Sequence, residues 1–405
     1  MSDGMRGLTS PVSWRVAIVG AGIGGLALAI ALKRCGFVPV VFEKRAAAQV
    51  PAEGIFLTLA PNGLNALRGI GLAERIAAAG IVTTGIALHN ERGRQIGLID
   101  YAAHAAAFAA PSVTIRRGTL VGLLLDAALA ESIAVHFDRA VDGIEESEAG
   151  VTVRAGGVAE TFDLVVVADG LRSDVRRLAF PDLPYPVYNG LVGSGGIVDV
   201  PGVAATDGLM HMTFGRKAFF GYIKQGDGQV HWFDSYPAPV EPDMATDPLE
   251  LAQRLQALHR DDPLDNRRII GAEPAIDRLY PDYDIPSLPR WFSPRIVLLG
   301  DAAHAVTPHS GQGASMAIED AMVLAACLAV AGTPLAAFRR YEGLRRARVE
   351  EAVALGRQSG QSKKAQGWLA LRLRDLLLPL FIPLGRARQE KLFRFRVDLD
   401  PLAQP

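Results

Sequence analysis

The chain has 405 residues, of which 49% are hydrophobic, 21% are charged and 42 are glycine. This ordinary globular composition, long enough for two or three domains around a large core, excludes a disordered or fibrous protein. Lys+Arg 42 against Asp+Glu 43 leaves a formal charge of −1, so no basic field exists to attract nucleic acid.

The opening stretch MSDGMRGLTSPVS is polar, lacks the apolar run of a secretory signal and reads as a disordered lead-in. Trp14–Gly20 (WRVAIVG) reads as a buried strand, Gly24–Cys35 as an apolar helix and Val38–Glu43 as a second strand. Such a βαβ unit predicts a parallel sheet. Pro61–Arg68 and Arg117–Glu131 follow as helices, and Phe162–Ala168 (FDLVVVA) as another buried strand. From Tyr185 to Tyr236 the texture changes to alternating apolar and polar residues, aromatics and Gly-bearing turns, the pattern of an antiparallel sheet. Arg295–Leu299 restores the parallel-sheet signal, and Ala314–Ala331 and Leu335–Leu355 read as long helices. The nucleotide-binding unit is thus interrupted by an inserted sheet.

The run Leu376–Leu384 (LLLPLFIPL) is too short to span a bilayer and is broken by Pro379 and Pro383. With Arg386, Arg388, Lys391, Arg394 and Arg396 after it, it reads as a helical segment capping the core rather than a membrane patch. No integral membrane segment is expected. Cys35 and Cys327 sit in apolar runs without metal or CxxC spacing and read as buried small hydrophobes. No metal site is expected, and a cytoplasmic protein is.

Three loops carry chemistry. Gly20, Gly22 and Gly25 form a GxGxxG between the first strand and helix. The first Gly allows the tight turn, the second lets backbone approach a pyrophosphate, and the third lets helix and strand pack closely. The pyrophosphate then meets the positive end of the helix starting near Gly24. Glu43 closes the second strand, placed to hydrogen-bond both hydroxyls of an adenosine ribose. A carboxylate there repels a 2′-phosphate, so the resident nucleotide is FAD or NAD. The segments Ala168-Asp169-Gly170-Leu171-Arg172-Ser173 and Gly300-Asp301-Ala302-Ala303-His304, the latter continuing through Pro308 to Gly311-Gln312-Gly313, each follow a buried strand and open a helix. Both put a carboxylate at the carboxyl end of a parallel strand, where α/β sheets bind ligands.

Together these motifs resemble the class A flavoprotein monooxygenases, the para-hydroxybenzoate-hydroxylase-like family, most closely its salicylate-hydroxylase-like branch. The resemblance covers roughly Val16 to Arg357. It implies an α/β fold with a Rossmann-type, three-layer FAD-binding domain, an inserted antiparallel-sheet substrate domain and a C-terminal helical region. The implied FAD-binding parts are 14–80, 111–182 and 281–358, the substrate-domain parts 81–110 and 183–280, and the C-terminal segment 359–405. By the same resemblance Gly20, Gly22 and Gly25 hold the FAD pyrophosphate and Glu43 the adenosine ribose, with Ile23, Gly24 and Lys44 as further cofactor-binding candidates. Arg117, in Arg-x-x-Leu ending at Leu120, lies along the ribityl and phosphate region. Asp169 and Gly170 stand near flavin and nicotinamide, Asp301 bonds the ribityl, and Pro308, Gly311, Gln312 and Gly313 meet the isoalloxazine edge. His304 is implied to be a packing residue. Phe56 and Leu57 stand where some relatives place a polar catalytic residue, so a base from the stretch Glu53–Asn62 is not expected.

The resemblance places substrate between flavin and the inserted sheet. Phe214, Phe220 and Phe233 are the candidate pocket residues, and His211, Tyr222 and His231 the candidate bases for activating a phenol. Phe220 and Tyr222 share one face by period-2 alternation, and the sequence does not say which face that is. Arg216 is the one arginine nearby, which favours a neutral, apolar aromatic or polyketide-like substrate over a simple benzoate. No second GxGxxG follows, since Gly193-Ser-Gly195-Gly196 lacks the final glycine. A separate nicotinamide domain is therefore not expected, against two-nucleotide disulfide reductases and Baeyer–Villiger enzymes. The tryptophans form no WxWxIP, against flavin halogenases. The implied chemistry is reduction of FAD by transient NAD(P)H, reaction with dioxygen to a C4a-hydroperoxide, and oxygen transfer to an electron-rich ring carbon, by a monomer or homodimer. An FAD reductase on the same scaffold and a non-catalytic flavin-binding protein are the alternatives.

Overall fold

Arg15–Val19 and Val38–Phe42 are short runs without polar alternation, as strands covered on both faces require. The computed structural model, which describes residues 13–52, 54–243, 247–273, 275–276, 278–285, 287–363 and 368–397, pairs them in parallel with Ile18 opposite Val41. The polar lead-in up to residue 12 and Glu53 lie outside the described residues. Five parallel strands form the nucleotide-side sheet in the order Ile296–Leu298, Leu164–Val167, Arg15–Val19, Val38–Phe42, Ala134–His136. Their carboxyl ends therefore bring Gly20, Glu43, Ala168-Asp169 and Gly300-Asp301 to one edge.

Helix Ile23–Arg34 packs on this sheet, and helix Gly313–Val330 packs on it in turn. Gly24 permits the close crossing: a Cβ there would lie 2.7 Å from Leu299 Cδ2 and 3.3 Å from Ala317 Cβ. Among the described residues Gly313–Val330 is the one helix long and apolar enough to cross a membrane, and 83% of it is buried in the core. Cys35 and Cys327 are buried, and burial pushes each thiol up to about 12, which keeps them protonated.

The second large sheet has seven strands in the order Tyr280–Asp284, Val187–Val198, Val230–Pro237, Phe219–Lys224, Leu209–Phe214, Gly85–Asn90, Gln95–Asp100. Its pairs are antiparallel except Leu209–Phe214 with Gly85–Asn90, strands far apart in the chain that no hairpin joins. The outer face carries Phe220, Tyr222, Trp232 and Tyr236, packed against Leu251, Leu255, Ile269 and Ile270 of helices Pro248–Leu258 and Leu264–Gly271. The inner face carries Met210, Met212, Ile223 and Phe233, packed with Phe56 and Ile81 of a small sheet that Ser112–Arg116 centres.

One expectation is corrected here. Helix Trp368–Phe393 runs unbroken through Pro379 and Pro383. Each proline deprives the carbonyl four residues earlier, that of Asp375 or Pro379, of its N–H partner; Pro379 is exposed and Asp375 half-buried, so neither carbonyl lies in the closed core. Leu378 and Ile382 of this helix cover the Phe214–Phe219 end of the inner face.

Candidate active site

Gly20 adopts φ +109°, and a Cβ on it would lie 2.5 Å from the Ala168 carbonyl oxygen. The Gly25 position is closed to side chains by the Gly20 carbonyl, whereas nothing lies within 4 Å of a Cβ on Gly22. Helix Ile23–Arg34 has no side-chain cap and no acid in its first turn. Its free N–H groups beside the open space at Gly22 are an anion site. Glu43 is 3% exposed, and its carboxylate accepts the Ala21 N–H (2.8 Å), the Arg45 N–H (3.0 Å) and Arg45 Nε (2.7 Å). Burial pushes its pKa up, but Arg45 and the two backbone donors overcome this and hold it below the ordinary value.

Lys44 leaves on the other side of the strand from Glu43, where its charge reaches Asp169. Its exposed side chain turns to Asp174, 3.9 Å away, because successive residues leaving a strand point to opposite sides. Arg45 is the residue that sequence reasoning missed, two positions after Glu43 and so on its side.

The second half is built by Asp301 and the turn before Gly313–Val330. Gly300 (φ +60°) and Gly311 (φ +63°) set the backbone, and nothing stands within 4 Å of a Cβ on Gly311. Asp301 Oδ1 is 4.0 Å from where a Gly313 Cβ would be, so the two border one space. Asp301 opens to that space yet is ringed by protein. This partial desolvation raises its carboxyl pKa, while His304 and Arg117 pull it down and Asp320 pushes it up. Gln312, 1% exposed, accepts from Asn62 (3.0 Å) and leaves its Nε2 buried without a partner. The helix it precedes also lacks a side-chain cap and a first-turn acid. Pro308 is exposed at the head of the turn Pro308–Ser310. Arg117 begins helix Arg117–Ala130 with its stem across Gly54, where a Cβ would lie 2.6 Å from Arg117 Cδ.

Asp169 accepts from Ser173 Oγ and from the Val175 N–H (3.3 Å), and so braces Ser173, the N-cap of helix Asp174–Ala179, whose Oγ accepts the Arg176 N–H (2.9 Å). Burial raises its pKa against these donors. Gly170 (φ +89°) beside it faces open space.

Beneath the turn lies a charge network. Arg345, fully buried, bonds Glu319 (2.5 Å) and Asp320 (2.6 Å); Arg348 bonds both Glu319 oxygens (2.8 and 2.7 Å); Asn62 links Glu319 (2.7 Å) to Gln312. His304 Nε2 meets Asp320 at 2.5 Å, so this histidine braces the network. The signal was an Glu-Asp pair interrupting an apolar helix, since buried charges need partners.

The inserted sheet separates the candidate substrate residues. Phe214, His231 and Phe233 are on the inner face; Phe56 contacts the rings of His231 (5.4 Å) and Phe233 (6.0 Å). Phe220, Tyr222 and His211 are corrected to the outer face. Phe220 stacks on Trp232 (5.7 Å), and Tyr222 stacks on its cross-strand partner His211 (5.2 Å). Alternation made Phe220 and Tyr222 companions, and helices Pro248–Leu258 and Leu264–Gly271 claimed their side. Burial holds Tyr222 up to about 12 and His231 down to about 4, the latter with help from Arg116. His211 is lowered by burial and by His89.

The FAD binding domain family matches residues 13–355. The chain is 34% identical over 369 residues, 90% of its length and 93% of the relative's, to an aurachin C monooxygenase/isomerase of Stigmatella aurantiaca. This chain belongs to the class A FAD-dependent monooxygenases. A second member, the 3-amino-4-hydroxybenzoate 2-monooxygenase of Streptomyces cremeus, is 32% identical over 83% of this chain and 84% of its own. Among solved structures, Klebsiella pneumoniae HpxO complexed with FAD and uric acid superposes with a TM-score of 0.85 at 25% identity. The match covers 95% of this chain and 98% of that one. The monooxygenase accordingly has FAD as its cofactor, and the two uncapped helix ends, the cradle at Gly22 and the unpartnered Gln312 amide fit such a group.

Proposed function

We propose that this monooxygenase uses NAD(P)H and dioxygen to hydroxylate an aromatic or polyketide-like small molecule seated between the Pro308–Gly313 turn and the inner face of the inserted sheet. The observation that supports the reading is the apolar inner face, with Phe233, Met212 and Phe56, which His309 of that turn adjoins through Lys363 and Phe219. Bound FAD supplies the redox chemistry, taking electrons from the nicotinamide and activating dioxygen. The chain's own residues position and shield.

Gly20, Gly22, Ile23, Gly24 and Gly25 take the pyrophosphate on the helix N-terminus, and Glu43, oriented by Arg45, accepts the adenosine ribose hydroxyls. Arg117 and Asp301 border the ribityl chain. The N-terminus of Gly313–Val330, with the Gln312 amide, stabilises negative charge at the flavin edge. Asp169 contributes through the loop it braces at Ser173, presenting Gly170. Phe56, Phe214 and Phe233 exclude water, which protects the reactive oxygen species from wasteful decay. The relatives named above act, by their names, on aurachin C and an aminohydroxybenzoate, and uric acid is bound in HpxO; aromatic rings are the common element.

The purified protein is expected to be yellow, and acid precipitation to release all of the flavin, since no linking motif is present. Turnover under isotopically labelled dioxygen is expected to place one labelled atom in the product. Conversion without label would instead establish an FAD reductase. Asp301→Ala is expected to weaken FAD binding about tenfold or more, the loss of one hydrogen bond involving a charged acceptor. Fluorimetric FAD titration of the apoprotein measures this, and an unchanged dissociation constant refutes the ribityl assignment.

A further inference from the structure

Helix Pro334–Ser362 lays two glycines against the turn that begins at Pro308. A Cβ on Gly356 would lie 2.5 Å from Thr307 Oγ1, and one on Gly360 2.6 Å from His309 Cδ2. The missing side chains let the His309 ring lie flat on the helix end, directly after the turn's proline. There Lys363 Nζ meets His309 Nδ1 at 3.0 Å and stands 3.9 Å from the centre of the Phe219 ring. On the ring's other side His309 Nε2 faces Asp282 Oδ2 at 3.2 Å, both side chains nearly fully buried. An amine, an imidazole and a carboxylate thus neighbour one another, with the amine over Phe219, whose ring lies 6.1 Å from that of Phe233 on the inner sheet face. Sequence reasoning found no cation for this face, because Lys363 arrives from the far end of a long helix.

We propose that Lys363 is a catalytic residue of this monooxygenase that contacts substrate: its neutral amine takes the proton of an acidic ring hydroxyl as the aromatic substrate seats against Phe233. The inference rests on the aromatic hydroxylation proposed above. In this step the O–H bond breaks and an N–H bond forms, giving a phenolate–ammonium pair, with no change of oxidation state. The phenolate makes the ring more electron-rich where oxygen is to be added. His309 Nδ1 accepts a hydrogen bond from the Lys363 nitrogen and holds the amine in place, with the Asp282 carboxylate close to its other ring nitrogen.

The surroundings suit the task. Burial pushes the Lys363 amine down to about 7, with Asp282 pulling it up, so a fraction is unprotonated at neutral pH. The other charges around it are engaged. Arg357 is bidentate to Asp284 (2.5 and 2.6 Å), and beyond Phe214, Arg374 pairs with Asp375 (2.8 Å) and Glu91 (3.5 Å). A phenol of ordinary pKa about 10 would not ionise to an amine near 7, so the hydroxyl must belong to a more acidic ring.

The test uses FAD-loaded protein, its flavin spectrum recorded first so that failure of the family reading is seen separately. The probes are 4-nitrophenol and its methyl ether, 4-nitroanisole, which has no proton to give. Wild-type protein is expected to bind 4-nitrophenol with the absorption band of the phenolate at a pH where the free probe is protonated. Lys363→Met is expected to bind it about tenfold more weakly, with the band of the neutral phenol, and to bind 4-nitroanisole as wild type does. Lys363→Arg, which keeps a cation but cannot act as a base, is expected to lose the pH dependence near neutrality. Three results overturn the proposal: the same spectrum and affinity in wild type and Lys363→Met, parallel loss of both probes in that variant, or no binding of either probe by wild type.

Discussion

Arg345→Leu is expected to lower the unfolding free energy by about 3–5 kcal/mol, the cost of leaving buried charge uncompensated. Glu319 and Asp320 are fully buried, and Arg345 holds one oxygen of each, at 2.5 and 2.6 Å. Arg348 would still pair with Glu319, leaving Asp320 with His304, the Gly300 N–H and the Tyr341 hydroxyl. Urea denaturation of wild type and variant measures the difference, and a loss under about 1 kcal/mol, the worth of an exposed pair, would contradict it. The same network makes a pH prediction. Burial pushes Asp320 up, but His304 and Arg345 outweigh it and bring the carboxyl down to about 2. A depressed carboxylate pKa adds stability that is fully present above its unfolded value of about 4 and fades as pH falls toward 2. Wild-type stability should therefore drop through that window, and the Arg345→Leu variant should show a shallower drop. Because Gln312 hangs from this network through Asn62, the turn at the flavin edge should loosen with it.

The second large effect is expected at Glu43. Glu43→Arg places a guanidinium beside Arg45 and removes the acceptor for the Ala21 N–H, so both the glycine loop and the ribose site lose their anchor. The variant is expected to be isolated without flavin. Glu43→Gln keeps one acceptor oxygen for Ala21 and should bind FAD about tenfold more weakly than wild type, in line with hydrogen bonds to a charged group. The ratio of flavin absorbance to protein absorbance after desalting distinguishes the three proteins. Wild-type flavin content in Glu43→Arg would show that the ribose is held elsewhere.

The two kinds of site residue differed in how well the sequence revealed them. Residues at the carboxyl ends of parallel strands were legible, because glycines at Gly20, Gly25, Gly300 and Gly311 answer local demands: a positive φ, or a carbonyl where a Cβ would be. Glu43 and Asp301 follow from strand position alone. A strand's alternation, by contrast, says which side chains are companions and not what lies over them. Phe220 and Tyr222 were correctly grouped, yet it took two helices packed from 248 to 271 to decide that their face looks away from the turn. Arg45 rather than Lys44 meets Glu43 for the same reason, one residue being half a strand period.

By itself the sequence determined the βαβ unit, the glycine loop, the interruption by a second sheet and the family, because these depend on short-range patterns of φ, burial and period. Only the tertiary structure decided which face of the inserted sheet is inward, which charges meet beneath the turn, and that the C-terminal helix continues through its prolines on an exposed surface. It alone brought Lys363 to His309, 54 residues earlier in the chain. Contacts of that kind are set by how helices and sheets stack, and a long helix such as Pro334–Ser362 delivers its last residue to a place that no local pattern encodes.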